Sequence, residues 1–176
     1  KSGRDDISYI LHVLKRLKKL YAIDEKKVAL LGHSNGGFMS YRLLCKYPEL
    51  FSGVISLSGA MPRGIGDCKS PQSASVIQIH GKKDPVIKYK GSLFHIGAEQ
   101  TVSHWVKQLQ CDEEDYSTDQ KLILKWGSWP KLKRSKTWNH CQNGSKVSLW
   151  SISREDHFAE LNQSLKFKMI DFIFKN

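Results

Sequence analysis

The sequence of 176 residues is poor in acidic side chains and has no long apolar run. It contains 17 Asp and Glu residues against 28 Lys and Arg, which gives a formal net charge of +11. A membrane-spanning helix needs about 20 apolar residues in a row, so we expect no membrane span. A basic balance is common in proteins with acidic partners, but no nucleic-acid-binding motif accompanies the charge. We therefore expect a solvated basic surface and no nucleic-acid partner.

Cysteine is also scarce, and its spacing argues against two common kinds of site. The sequence has four cysteines, at Cys45, Cys68, Cys111 and Cys141. None of them has the C-x-x-C spacing of a zinc site or of a thioredoxin-like redox motif. An even number of cysteines is compatible with two disulfides in an oxidising compartment, and equally with free buried thiols. The residues alone do not decide between disulfides and free thiols, nor which cysteines would pair.

The most informative stretch is a Gly-x-Ser-x-Gly pattern at residues 32–36. The apolar run at 28–31 before it predicts a strand buried on both faces, and residues 38–44 after it predict a helix. A serine on a sharp, strained strand-to-helix turn needs small neighbours, because the helix passes close to the strand end. The pattern therefore predicts an exposed nucleophile at Ser34. The helix start would offer the backbone N–H of Asn35 to a developing oxyanion.

The remaining periodicity predicts one α/β domain over residues 1–176, with a mostly parallel sheet flanked by helices. Residues 111–145 are the exception, and we expect an irregular or hairpin insertion there. Within it, the pattern favours a strand at 121–126, a turn at 127–130 and part of a returning strand at 137–138. The other predicted strands lie at 53–58, 75–80 and 147–152, and the other helices near 7–21, 98–110 and 161–173.

Three polar residues follow predicted strands, namely Ser34, Asp84 and His157. Function sits at the carboxyl ends of the strands in parallel sheets. A serine hydroxyl becomes a good nucleophile when an imidazole takes its proton, and a carboxylate fixes the tautomer of that imidazole. These residue types in this order predict a catalytic triad. Asp156 is a rival carboxylate, but adjacent side chains rarely face each other, so we expect it to face solvent.

Two further histidines, His33 and His80, also lie at strand ends. We interpret both as pocket residues that contact the substrate or support the triad. Neither the triad nor these histidines requires a metal or an organic cofactor, so none is predicted.

Several motifs together resemble those of a family of secreted esterases with an α/β-hydrolase fold. This family groups poly(3-hydroxybutyrate) depolymerases with feruloyl and acetylxylan esterases. The Ser-Asn-Gly-Gly sequence within the nucleophile motif is more specific than Gly-x-Ser-x-Gly alone. The resembling segments lie at residues 23–28, 32–39, 79–86, 98–111, 141–144, 147–152 and 157.

The resemblance implies Ser34 as nucleophile, His157 as base and Asp84 as the acid that orients it. It also implies that Cys111 pairs with Cys141, which leaves Cys45 with Cys68 as a second disulfide. A member of this family would be exported, to the periplasm or the extracellular space. Its substrate would be a small-molecule or polymeric ester.

The chain departs from the family pattern in two places. Residues 153–156 replace the glycines that usually precede the histidine, which affects the wall of the pocket. Family members also have several strands before the first helix, and these include the loop that provides a second oxyanion donor. We therefore expect this chain to be the C-terminal part of a longer domain, completed by a missing N-terminal segment.

These observations predict a serine carboxylic-ester hydrolase that works through an acyl-enzyme. Its substrates would be of the feruloyl or acetylxylan ester type or of the hydroxybutyrate polyester type. One alternative is a serine peptidase similar to prolyl oligopeptidase, which shares the nucleophile turn and the triad order. The other is a non-catalytic α/β module that binds an acidic glycan.

Overall fold

The structure is a computed structural model. It describes residues 5–66, 68–69, 71, 73–119, 124–126, 129–131, 133–153, 157 and 163–175. For residues 124–126, 129–131, 133 and 164 it describes the backbone alone.

The fold is a six-stranded, mostly parallel sheet with flanking helices, which confirms the predicted fold class. The strand order is β1-β2-β3-β8-β7-β4, and the first four of these strands are parallel. The strands of this sheet are β1 (Ala29–His33), β2 (Gly53–Leu57), β3 (Ser75–Gly81), β4 (Ser117–Asp119), β7 (Lys133–Trp138) and β8 (Val147–Ile152). The helices are α1 (Asp6–Leu20), α2 (Asn35–Lys46), α3 (Ala98–Gln108) and α4 (Gln163–Phe174).

Two apolar clusters cover the two faces of this sheet. Strands β2, β3 and β8 are buried along their whole length, as expected for strands covered on both sides. Alternate residues of each strand belong to different clusters, because side chains alternate across a strand. The α2 and α3 side holds Tyr41, Leu44, Val54, Val76 and Trp105. The α4 side holds Ile55, Ile77, Trp150, Leu165 and Met169.

The prediction that the first strand is buried on both faces is wrong. Among the described residues β1 pairs with β2 only, so it forms an edge of the sheet. Leu31 in the middle of β1 is 59% exposed. Helix α1 beside it contains no buried residue, although four of its apolar side chains pack partly against the core. A short apolar run cannot by itself distinguish an edge strand from a central one.

The 111–145 segment contributes more to the sheet than its sequence predicts. Strand β7 pairs antiparallel with β8 over its full length, and β4 pairs antiparallel with β7. Residues 124–126 and 129–131 form a separate antiparallel pair, β5 and β6. The turn predicted at 127–130 is therefore wrong for residues 129–130, and residues 121–123 and 127–128 lie outside the described residues. The β7 sequence carries no apolar alternation, so only its pairing with β8 identifies it as a sheet strand.

Two disulfides are present, and they have the pairing that the family resemblance implies. Cys45 in α2 is bonded to Cys68, and Cys111 after α3 is bonded to Cys141 before β8. Each bridge ties a helix or its end to a loop. Within the part of the chain that the structure describes, no helix has the length and apolar character needed to cross a membrane.

Candidate active site

Ser34 lies between the end of β1 and the start of α2 in a strained backbone conformation. Its φ is +54° and its ψ is −119°, which non-glycine residues rarely adopt. The surroundings hold this conformation. The Ser34 N–H donates to the Leu57 carbonyl at 2.8 Å, and the Ser34 carbonyl accepts from the Gly37 N–H at 2.9 Å. Such strain persists only when neighbouring contacts determine it, and it occurs most often at functional sites.

The glycines around Ser34 allow α2 to approach the strand ends. A Cβ atom on Gly32 would overlap the carbonyl of Gly36, and a Cβ on Gly37 would lie 3.0 Å from the Cα of Gly59. Any larger residue at these positions would push the helix away from the sheet. The close approach confirms the predicted steric reason at Gly32. It does not hold at Gly36, where an added Cβ would meet nothing within 4 Å, and the second crowded glycine is Gly37 instead.

His157 joins Ser34 to Asp84 through hydrogen bonds. The Nε2 atom of His157 lies 2.9 Å from the Ser34 Oγ atom, and its Nδ1 atom lies 3.0 Å from Oδ2 of Asp84. A carboxylate only accepts hydrogen bonds, so the His157 Nδ1–H donates to Asp84 and Nε2 accepts from the Ser34 hydroxyl. Both His157 and Asp84 are buried. The three side chains that the sequence analysis singled out therefore form one hydrogen-bonded chain.

The Asp84 carboxylate is held on both of its oxygens. Oδ1 accepts from the backbone N–H groups of Val86 and Ile87, each at 2.9 Å. Oδ2 accepts from His157 and lies 3.3 Å from Nε2 of His80. The backbone of the turn after β3 thus supplies two donors to the Asp84 carboxylate.

His80 lies behind Asp84 with its side chain fully buried, a place compatible with the predicted support of the triad and not with contact to a substrate. The Nε2–H of His80 donates to the Ile87 carbonyl at 2.7 Å, and Nδ1 accepts from Nε2 of Gln78 at 3.1 Å. Burial lowers the pKa of the His80 imidazole, against smaller opposing effects from Ile87 and Asp84. His80 is therefore a neutral imidazole with its proton on Nε2.

His33 is exposed and lies beside the hydroxyl and imidazole of the site. Its Nε2–H donates to the backbone carbonyl of His157 at 2.8 Å, and the two imidazole rings are 5.0 Å apart. His33 therefore holds the backbone of the residue that contacts Ser34. Its contact with a substrate remains a prediction.

The sequence analysis did not identify Gln78, which contacts both His80 and the core. Its side chain is completely buried in β3 and bonds to Tyr41 and to the Gly59 carbonyl. An amide in the middle of a buried apolar strand is the signal that could have revealed it, because such a group must find partners. Asp156, the rival carboxylate, lies outside the described residues.

Asn35 is the first residue of α2 and directly follows Ser34. Its backbone N–H therefore lies at the positive end of the helix dipole, where the first N–H groups have no partner within the helix. This position is compatible with the predicted role of Asn35 as an oxyanion donor, which remains a prediction.

Curated proteins with related sequences include two fungal esterases. Feruloyl esterase C of Emericella nidulans is 29% identical over 89 residues, which is 51% of this chain and 32% of that protein. The bifunctional acetylxylan esterase/xylanase of Neocallimastix patriciarum is 28% identical over 88 residues, which is 50% of this chain and 13% of that protein. The chain thus matches less than a third of the length of either relative.

Among solved structures, the acetyl xylan esterase of Aspergillus awamori has a similar fold, with a TM-score of 0.67 at 14% sequence identity. The alignment covers 94% of this chain and 66% of that one. A family model described as phospholipase/carboxylesterase matches residues 5–122, which is more than half of the chain. The chain therefore belongs to the phospholipase/carboxylesterase family of α/β-hydrolases.

Proposed function

We propose that this protein is a serine carboxylic-ester hydrolase that acts through an acyl-enzyme. The observation that carries the proposal is the chain of hydrogen bonds from Ser34 through His157 to Asp84. It begins at a serine held in a strained turn at the end of a strand. Family membership and the names of the curated relatives support the same reaction class.

In the proposed reaction the Ser34 hydroxyl attacks the ester carbonyl while Nε2 of His157 accepts its proton. Asp84 keeps the Nδ1 proton in place and stabilises the imidazolium that forms. The backbone N–H of Asn35 donates to the oxyanion. His157 then protonates the leaving alcohol and afterwards activates a water molecule, which releases the acid and restores Ser34.

The substrate class is proposed from the relatives. The names of the two fungal proteins point to feruloyl esters and to acetylated xylan. Hydroxybutyrate polyesters are the further class that the motifs suggest. The two disulfides support the proposal that the protein works outside the cytoplasm, in the periplasm or the extracellular space.

A fluorophosphonate, which reacts with activated serines, tests the proposal directly. We expect covalent labelling of the wild type, mapped by mass spectrometry to the peptide that contains Ser34, and none in Ser34→Ala. Ser52→Ala is the matched control, because its hydroxyl bonds to the Val28 carbonyl at the opposite end of the sheet. It should be labelled like the wild type. A folded wild type that is not labelled would contradict the proposal, and salt-sensitive binding of an acidic glycan by the same sample would support the binding-module alternative.

A substrate panel then separates esterase from peptidase. Acetyl, feruloyl and 3-hydroxybutyryl esters are compared with short peptides under the same conditions. The proposal expects hydrolysis of at least one ester class and little hydrolysis of peptides. Faster cleavage of peptides than of all the esters would overturn it in favour of the peptidase alternative.

We also propose that the active protein includes a further segment beside β1 that provides a second oxyanion donor. The exposed Leu31 and the absence of buried residues in α1 support this, because an apolar edge and its helix are incompletely covered. One missing donor costs about 10²–10³ in rate. A longer form of the protein should therefore be labelled faster than this chain by about that factor, and equal rates would contradict the proposal.

A further inference from the structure

A buried row of polar side chains runs from the core to the back of Asp84. Its members are Tyr41, Gln78 and His80, and each of them is at most 1% exposed. Tyr41 donates to Oε1 of Gln78 at 2.6 Å, and Gln78 Nε2 lies 3.1 Å from Nδ1 of His80. The row ends where Nε2 of His80 reaches Oδ2 of Asp84 at 3.3 Å. The hydrogen bonds of the sheet are made by backbone groups, so these buried polar side chains do not contribute to strand pairing. Their burial therefore needs another explanation.

The donors and acceptors along this row determine one another. The Gly59 carbonyl only accepts, so the Gln78 side-chain group that faces it at 2.8 Å must be the NH₂. The second proton of that NH₂ points to Nδ1 of His80, which must then be the unprotonated nitrogen. The Ile87 carbonyl lies 2.7 Å from Nε2 and only accepts, which independently places the ring proton on Nε2. The single N–H of the neutral His80 imidazole is therefore donated to the Ile87 carbonyl, and Nε2 lies 3.3 Å from Oδ2 of Asp84 without a hydrogen bond to it.

This N–H holds the carbonyl of Ile87, and the backbone N–H of the same residue donates to Oδ1 of Asp84. Oδ1 also accepts from the Val86 N–H, so the orientation of this turn determines where the carboxylate lies. The carboxylate in turn faces His157, whose Nδ1 lies 3.0 Å from Oδ2 and 3.2 Å from Oδ1. His157 is the group that must move a proton, so a stationary contact on the turn is needed to keep the carboxylate oriented.

We propose that His80, with its tautomer set by Gln78 and Tyr41, is a positioning residue that holds the Ile87 carbonyl and, through the turn at residues 84–87, keeps the Asp84 carboxylate facing His157. This inference rests on the proposed function, because the expected effect on ester hydrolysis requires the proposed triad. His80 does not touch the substrate. It acts through Asp84, and a misplaced Asp84 would let the His157 imidazole turn away from the Ser34 hydroxyl.

A matched pair of substitutions tests the proposal. In His80→Gln the longer amide reaches the place of Nε2 and keeps a donor to the Ile87 carbonyl, whereas in His80→Asn the shorter amide reaches only the place of Nδ1. We expect kcat for an ester substrate to fall by roughly 10-fold to 100-fold in H80N, with KM little changed, because a small misplacement at the reacting groups has effects of this size. H80Q should recover most of that loss. His80→Leu is a second variant without a donor and should resemble H80N.

A spectroscopic measurement makes the test independent of catalysis. The proton on Nδ1 of His157, when held by the Asp84 carboxylate, gives a low-field NMR signal in slow exchange with water. We expect this signal in the wild type and H80Q, and its loss in H80N and H80L. If the wild type hydrolyses no ester, the proposed function fails, but the signal still decides whether His80 orients Asp84.

Ser148→Ala is the control for a general loss of buried hydrogen bonds. Ser148 is completely buried in β8, and its hydroxyl bonds to Thr137, to the Lys136 carbonyl and to Trp150. This variant should lose thermal stability while it keeps the NMR signal and kcat. The proposal is overturned if folded H80N and H80L keep both the signal and kcat of the wild type, or if H80Q loses as much as H80N.

Discussion

The two halves of the candidate site are held in different ways. Asp84 follows β3, a central strand in which every residue is buried. Ser34 follows β1, an edge strand with the exposed Leu31 at its centre. The acid half is held by buried hydrogen bonds, and the nucleophile half is held by the close contact of a glycine-lined turn with α2. A site of this kind does not need two equally buried strands, provided that each half has its own constraint.

The two histidines that follow these strands show the same difference. His80 on the acid half is buried and neutral, and both of its ring nitrogens have protein partners. His33 on the nucleophile half is exposed and holds the backbone of His157. We expect substitutions on the acid half to have the larger effects on both stability and activity.

The largest effect is expected from Asp84→Asn. The oxygen of the new amide would stay with the Val86 and Ile87 N–H groups, which places its NH₂ 3.0 Å from Nδ1 of His157. Nδ1 would then have to accept, its proton would move to Nε2, and the imidazole could no longer take the Ser34 proton. We expect kcat for an ester to fall by about 10⁴, measured by steady-state hydrolysis. Asp24→Asn, the same change at the surface cap of a 3-10 turn, should have no effect.

The second prediction compares truncation of an apolar side chain to alanine at the centre and at the edge of the sheet. Leu31, Ile55 and Ile77 lie side by side in one row across β1, β2 and β3. Ile77 is completely buried, so Ile77→Ala should lower the free energy of unfolding by about 2–5 kcal/mol. Leu31→Ala should change it by less than about 1 kcal/mol, because more than half of its surface is already in solvent. Denaturant unfolding measures both, and equal losses would contradict the difference between the two halves.

The third prediction concerns pH and the buried imidazole of His80. Burial lowers its pKa below the ordinary value of 6.5, so below that pH the unfolded chain binds a proton that the folded chain does not. The free energy of unfolding should therefore fall as the pH decreases below about 6.5, by at most about 1.4 kcal/mol per pH unit from this group. Unfolding of wild type and H80Q from pH 7.5 to 5 should show a shallower decrease in the variant. Parallel curves would show that His80 is not the group responsible.

The smallest effect is expected from His33→Ala. The substitution removes one hydrogen bond to the His157 carbonyl, and such a bond is worth about 1 kcal/mol, or roughly 5-fold in kcat. His12→Ala on the exposed face of α1 is the matched control and should leave hydrolysis unchanged. A loss in H33A as large as that in H80N would show that both halves of the site depend equally on their histidines.

The local features of this protein could be read from its sequence. Gly32 is required where the chain approaches itself, and apolar patterns identify the described helices and the parallel strands β1, β2, β3 and β8. The predicted strand ends singled out Ser34, Asp84 and His157, and the order of these residue types predicted a triad. Each of these inferences depends on residues close together in the chain, or on a pattern that one strand or helix carries alone.

The tertiary structure decided the features that depend on neighbours far away in the chain. Whether an apolar run such as 28–31 lies in the centre or at an edge is set by which strands pair with it. The polar strand β7 belongs to the sheet only because β8 provides the partner for its backbone. His80 lies two residues from Gln78 in the sequence, but its role behind Asp84 is set by the turn that brings residues 84–87 over it. Side-chain direction and burial at these positions follow from packing, and packing is not encoded in any local pattern.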